Sequence, residues 1–142
     1  SGRFDDTWAF DLRTRQWSNI TPRASKPLRR CLHHAVYSEA RDEMYLYGGC
    51  SSGAGPCPQG DLWILDLARN EWRETGLNPR PPGRQWYGMT FDEARARLVL
   101  FGGSGNGVFN DTWEFDPAAN RWAPLATNGA APAPRSRLQG VY

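Results

Sequence analysis

No stretch of this sequence sustains a helical period, and no apolar run approaches the roughly 18–20 residues that a membrane-spanning helix requires. Membrane insertion is therefore not expected. Lysine is nearly absent: Lys26 is the single one among 17 basic residues, set against 15 acidic ones for a net charge of +2. That charge is too small to imply a nucleic-acid partner. The basic complement is instead almost all arginine, which suits planar, bidentate contacts. Cysteine is scarce at three residues, and no second Cys/His pair stands at zinc spacing. Neither a metal nor a cofactor is expected. No basic–apolar–small leader opens the chain, and Ser1 falls inside a repeat, so the natural N-terminus is expected to lie upstream.

What is present is repetition. "DDTWAFDLRTRQW" (Asp5 to Trp17), "GDLWILDLARNEW" (Gly60 to Trp72) and "NDTWEFDPAANRW" (Asn110 to Trp122) share one frame. In each, an Asp stands two residues before a Trp, and a second Trp follows nine residues later. Six of the seven Trp residues serve this frame, which makes it architectural. A second frame aligns "RCLHHAVYSEARDEMYLYGG" (Arg30 to Gly49) on "RQWYGMTFDEARARLVLFGG" (Arg84 to Gly103) without gaps. "PAPRSRLQGVY" begins a third copy, with Arg135 and Tyr142 where Arg84 and Phe91 stand; Pro27, Pro81 and Pro132 also coincide.

Each unit of about 50 residues reads as four short strands, in the middle copy near 32–38, 43–47, 62–66 and 71–74. Period-2 alternation puts Trp8 with Phe10, and Trp63 with Leu65, on one face. In "DPAANRW", Pro117 presets its own φ and Asn120 stands where a left-handed residue is tolerated. The pairs Gly48-Gly49 and Gly102-Gly103 end the second strand, where a missing Cβ permits close backbone approach.

On the Gly-Gly pairs, the Asp-x-Trp starts and the second Trp nine residues on, the chain resembles kelch-repeat (galactose-oxidase-type) β-propeller blades. The resemblance implies an all-β fold of four-stranded antiparallel blades, with the repeated aromatics packed between neighbours. The expected layout is 1–22 as the last two strands of one blade, 27–76 and 81–126 as full blades, and 132–142 as the first strand of the next. Just under three blades would leave aromatic faces and strand edges open to water. The remaining blades are expected from the same or another chain. A ring closed by two such chains is the weaker alternative, because each copy would lack one second strand.

Arg30, Arg84 and Arg135 precede the innermost strand of successive blades. The resemblance implies contacts to acidic peptide segments at this position, through bidentate carboxylate recognition; the alternative is that each Arg bridges adjacent blades. The connections at 51–60 and 104–109 lie on the same face and are candidate carriers of specificity. Trp86 and His33 join the candidate partner-binding set. His33 and His34 are expected to point to opposite faces of a strand, which disfavours a paired metal site.

No catalytic set is found. The copper oxidases of the family need a Tyr crosslinked to Cys, which the spacings of Cys31, Cys50 and Cys57 do not support. The Glu-x-x-x-Asp-x-x-x-His motif of iron-dependent relatives is absent, as are a nucleophile elbow and a phosphate loop preceding a helix. Cys50 and Cys57 bracket "CSSGAGPC", as either a loop-closing disulfide or two surface thiols. Asn19-Ile-Thr21 and Asn110-Asp-Thr112 are glycosylation sequons; with the cysteines they favour a secreted or extracellular protein over a cytoplasmic one. The expected function is a non-catalytic scaffold that binds another protein. The alternatives are a carbohydrate-active or oxidase-like propeller whose catalytic residues lie on other blades, and a purely structural component of a large assembly.

Overall fold

Tight turns with their own chemistry join most strands pairwise, so hairpins and meanders account for the secondary structure of the described residues. The computed structural model describes residues 2–51, 55–75 and 78–140, and among these there are twelve strands and no helix. β1 (Trp8–Asp11) pairs with β2 (Gln16–Asn19). β3 (His34–Ser38), β4 (Glu43–Tyr47), β5 (Leu62–Asp66) and β6 (Glu71–Thr75) form one four-stranded antiparallel sheet in sequence order. β7 (Gly88–Asp92) and β8 (Arg97–Phe101) are followed by a small hairpin, β9 (Ser104–Gly105) with β10 (Gly107–Val108). β11 (Thr112–Asp116) and β12 (Arg121–Leu125) then complete a second four-stranded sheet. β3 and β7 lie beside one another, while β6 and β12 form the outer edges. This is the all-β blade architecture that the repeats imply.

The frame with two Trp residues is a hairpin. In register, Phe10 faces Trp17, Leu65 faces Trp72 and Phe115 faces Trp122. The turn between each pair is set by an Asp whose carboxylate accepts from the backbone three residues on: Asp11 from Thr14 (2.9 Å), Asp66 from Arg69 (2.9 Å) and Asp116 from Ala119 (3.1 Å). Each turn closes through a left-handed residue, Arg15, Asn70 or Asn120, with φ of 57°, 54° and 52°.

Two features extend the sequence reading. The first strand of the middle blade begins at His34 rather than at residue 32, because Leu32 has φ 59° and interrupts the extended chain. Residues 132–140 form no strand, although Arg135 donates to Phe109 O (3.0 Å) as Arg84 does to Gln59 O (3.1 Å). Tyr142 lies outside the described residues.

The core sits between the two four-stranded sheets. Tyr45 of β4 stacks on Phe91 of β7 at 5.0 Å, and Tyr47 meets Tyr87 and Trp122 edge-on, each at 5.5 Å. Such buried aromatic pairs add about 0.5–1.5 kcal/mol beyond their area. Glu93 ties the opposite face, accepting from Ser38 Oγ (3.0 Å) and the Glu39 amide (2.8 Å) of the preceding blade. The Gly pairs make the seam itself. Gly49 N–H donates to Arg84 O (3.0 Å) and Gly103 N–H to Arg135 O (2.9 Å), with φ of 85° and 98°.

A Cβ on Gly49 would lie 2.5 Å from Cys31 O and 2.7 Å from His33 N, both backbone atoms that cannot give way. Gly49→Ala is expected to lower unfolding stability by at least about 2 kcal/mol in a denaturant titration. Ala96, a non-glycine residue at φ 51° in the β7–β8 turn, should respond in the opposite sense, with Ala96→Gly neutral or stabilising by up to about 1 kcal/mol.

Candidate functional site

Each Asp-x-Trp start folds into the same small device. The carboxylate accepts from the indole N–H two residues on, at 2.7 Å in all three copies: Asp6 from Trp8, Asp61 from Trp63 and Asp111 from Trp113. In the two full blades it also receives a buried arginine end-on. Arg30 Nη1 and Nη2 reach the two oxygens of Asp61 at 2.7 Å each; Arg84 reaches those of Asp111 at 2.6 and 2.9 Å. The same guanidinium donates to the first carbonyl of the Gly pair, Gly48 O at 2.9 Å or Gly102 O at 2.8 Å. Its Nε donates to the carbonyl two residues back, Leu28 O or Pro82 O. Phe109 covers Arg84, with 4.2 Å between guanidinium carbon and ring centroid.

Arg30 is 6% exposed and Arg84 fully buried, and four of the five donors of each are engaged. Each arginine closes within its own blade rather than across to a neighbour, because its Asp heads the third strand of the same sheet. Across the seam the bond is made by the Arg84 main chain. Burial pushes the Asp61 and Asp111 carboxyls up, but bonding and charge from Arg30 or Arg84, with the indole N–H, outweigh it and hold both below the usual range. Arg135 is exposed and donates from Nε to Ala133 O at 3.0 Å.

A different residue projects outward. Two positions after each Arg, the chain holds a bulky side chain in the left-handed region: Leu32 (φ 59°), Trp86 (φ 56°) and Arg137 (φ 61°). Each such residue carries about 1–2 kcal/mol of backbone strain. Leu32 and Trp86 remain 42% and 39% exposed. With His33, His34, Tyr87 and Leu138 they line a recess of about 220 Å³ beside the start of the innermost strands. The Arg137 guanidinium stands 5.9 Å from the Trp86 ring centroid, and Leu138 N–H donates to Trp86 O (3.2 Å). Burial, the Arg30 charge and His34 together hold the His33 imidazole below its ordinary pKa, so it is neutral at pH 7.

Of the residues singled out in the sequence, Trp86 and His33 therefore meet at this recess, while Arg30 and Arg84 lie behind it. His33 and His34 line it together, since only His34 belongs to β3. Leu32 and Arg137 were not anticipated; the available signal was their fixed distance from the repeated Arg. A second recess, of about 720 Å³, lies between the connections at 56–61 and 80–83, with Trp63, Lys26 and Arg80 on its walls. Cys50 and Cys57 are joined by a disulfide and Cys31 is a free thiol. Asn19 and Asn110 are both exposed; Asn19 Oδ1 accepts from the Thr21 amide at 3.0 Å. Among the described residues no group of three His, Cys, Asp or Glu is placed to hold a metal ion.

The sequence model of the KLHDC2/KLHL20/DRC7 Kelch-repeats domain matches residues 1–142. Similar curated proteins include putative adagio-like protein 2 of Oryza sativa subsp. japonica, 33% identical over 125 residues, covering 84% of this chain and 19% of that protein. Kelch domain-containing protein 3 of Homo sapiens is 26% identical over 143 residues, 94% of this chain and 36% of that protein. Serine/threonine-protein phosphatase BSL2 of Arabidopsis thaliana is 28% identical over 139 residues, 94% of this chain and 13% of that protein. The chain thus spans little more than a third, at most, of the length of these relatives.

The clamp generates a stability prediction with a defined pH sense. Both carboxyls titrate below their unfolded value, so each pair stabilises fully above about pH 4 and loses that contribution as pH falls through the lower folded-state pKa. Asp61→Asn, which leaves Arg30 buried without a counter-ion, is expected to cost about 2 kcal/mol or more at pH 7 and to flatten the acid limb of the stability–pH curve. Denaturant midpoints of both proteins between neutral pH and about pH 3 check this.

Proposed function

The chain belongs to the kelch-repeat family, and from that premise we propose that it is a non-catalytic propeller segment that binds another protein at the recess lined by Leu32 and Trp86, with Arg137 beside the Trp86 ring. Kelch-repeat domains are generally protein-interaction scaffolds and typically non-catalytic. One observation carries the choice of surface: three successive repeats hold a bulky, outward side chain in a strained backbone conformation at the same position. Strain of this kind persists where the surroundings over-determine it, and it collects at binding and switching sites.

The chemistry of the recess favours a peptide that offers an apolar side chain to Leu32 and Trp86 and a carboxylate to Arg137. The acidic-peptide reading of the arginine series passes in this way from Arg30 and Arg84 to Arg137, with Arg135 nearby. Selectivity would come in addition from the connections, such as that at 104–109, where Val108 is 50% exposed.

The segment is further proposed to work as part of a larger ring. Phe10 and Trp17 of the first hairpin are 41% and 63% exposed, whereas Leu65, Trp72, Phe115 and Trp122 at the matching positions are all buried, at 8% exposure or less. A face of that composition suits cover by another blade. The disulfide and the exposed sequons at Asn19 and Asn110 support a secreted or extracellular location, which an intact-mass measurement before and after deglycosylation tests.

Leu32→Gly and Trp86→Gly remove the exposed side chains and relieve the left-handed strain at once. The expected result is an unfolding midpoint unchanged or raised, with loss of binding to partners captured by the parent protein. Arg137→Ala should weaken the same binding and reduce its salt dependence. Retention of full binding by the Leu32→Gly/Trp86→Gly protein would rule out this face.

A further inference from the structure

Cys31 and Cys50 stand directly opposite each other in an isolated antiparallel bridge. They exchange two backbone hydrogen bonds, Cys31 N–H to Cys50 O at 3.0 Å and Cys50 N–H to Cys31 O at 2.8 Å. Residues so paired have Cα atoms about 5.5 Å apart, with side chains on the same face. That separation lies within the span of a disulfide. Cys50 is instead bonded to Cys57, seven residues on, and Cys31 keeps its thiol. The Cys31 sulfur is on the Cys50 side of the bridge, 3.7 Å from Cys50 O. Arg3 Nε donates to that sulfur at 3.1 Å. Cys50 thus has one cysteine bonded to it and a second directly opposite it across the bridge.

We propose that Cys31, Cys50 and Cys57 form an intramolecular thiol–disulfide exchange site. The Cys31 thiolate attacks Cys50 Sγ; the Cys31–Cys50 bond forms as the Cys50–Cys57 bond breaks, and its electron pair leaves on Cys57 Sγ, which then takes a proton. One disulfide and one thiol are present before and after, so no oxidant or reductant is consumed. The Arg3 guanidinium places positive charge beside the sulfur that carries negative charge during the attack. The exchange moves the crosslink from a loop of 7 residues to a pair 19 apart, and a longer loop constrains the unfolded chain more, so chain entropy does not oppose it. Its outcome is chemical: a half-buried thiol at Cys31 is replaced by an exposed one at Cys57, where an electrophile or a second thiol can react.

The test is disulfide mapping of the intact protein, without denaturant or added redox reagent. Protein held near pH 8 is quenched in acid, alkylated with N-ethylmaleimide and digested without reduction. The expected result is a Cys31–Cys50 crosslinked species with label on Cys57, alongside the Cys50–Cys57 species with label on Cys31. In Cys31→Ser the Cys57 label should be lost entirely. Mild oxidation of Cys57→Ser should give an intramolecular Cys31–Cys50 disulfide. Label confined to Cys31 in the parent protein, Cys57 label persisting in Cys31→Ser, or only intermolecular dimers from Cys57→Ser would each overturn the proposal.

Discussion

A buried guanidinium is tolerated only when its donors and its charge are answered, and that requirement organises these blades. Arg30 and Arg84 are met by a carboxylate at the head of the third strand, by the first carbonyl of the Gly pair and by the carbonyl two residues back. Those three partners come from the approach to the first strand, the end of the second and the start of the third. One side chain therefore fixes where three strands begin and end. The indole N–H of Trp63 or Trp113 occupies an Asp oxygen as well, which is why Asp and Trp recur at a spacing of two. With its carbonyl held by the guanidinium, the Gly pair turns through left-handed backbone and presents the second glycine's N–H to the next blade.

The same arrangement separates the architectural arginine from the surface proposed for recognition. The arginine is consumed inside the blade, but the rigid turn that it anchors carries the residue two positions later outward, in a conformation that an isolated chain avoids. Leu32, Trp86 and Arg137 differ in chemistry while sharing a backbone state. On the proposed function, a repeated framework with a variable outward residue would give selectivity while leaving the fold untouched.

Much of this was legible in the sequence, for identifiable reasons. The strand at 43–47 was readable as an aromatic–aliphatic run ending in a Gly pair and that at 62–66 from its alternation after an Asp-x-Trp start, and the structure places both at those residues. The glycines' role followed from the absence of a Cβ. The arginine's partner was harder: carboxylates abound near each strand head, and which one lies within 3 Å depends on how the third strand folds back beside the second. Leu32, Trp86 and Arg137 could not be read as left-handed, because nothing in a Leu, Trp or Arg favours that region; tertiary contacts impose it. The role of Glu93 has no local signal, since its partners Ser38 and Glu39 belong to another blade. The Cys50–Cys57 disulfide was one of two open readings, and the approach of Cys31 to Cys50 depends on a bridge that local pattern does not reveal.

The central claim is that the Arg–Asp pair is a structural clamp of the blade, and a double-mutant cycle on Arg84 and Asp111 tests it most directly. Denaturant stabilities of the parent protein, Arg84→Met, Asp111→Asn and the double variant give the coupling. A clamp predicts a large cost for Asp111→Asn, which leaves the buried Arg84 unanswered, a smaller one for Arg84→Met because the Asp111 side chain is 35% exposed, and a double variant about 1–2 kcal/mol better than their sum. Single costs near zero that simply add would contradict it and return Arg84 to the pool of residues free to meet a partner.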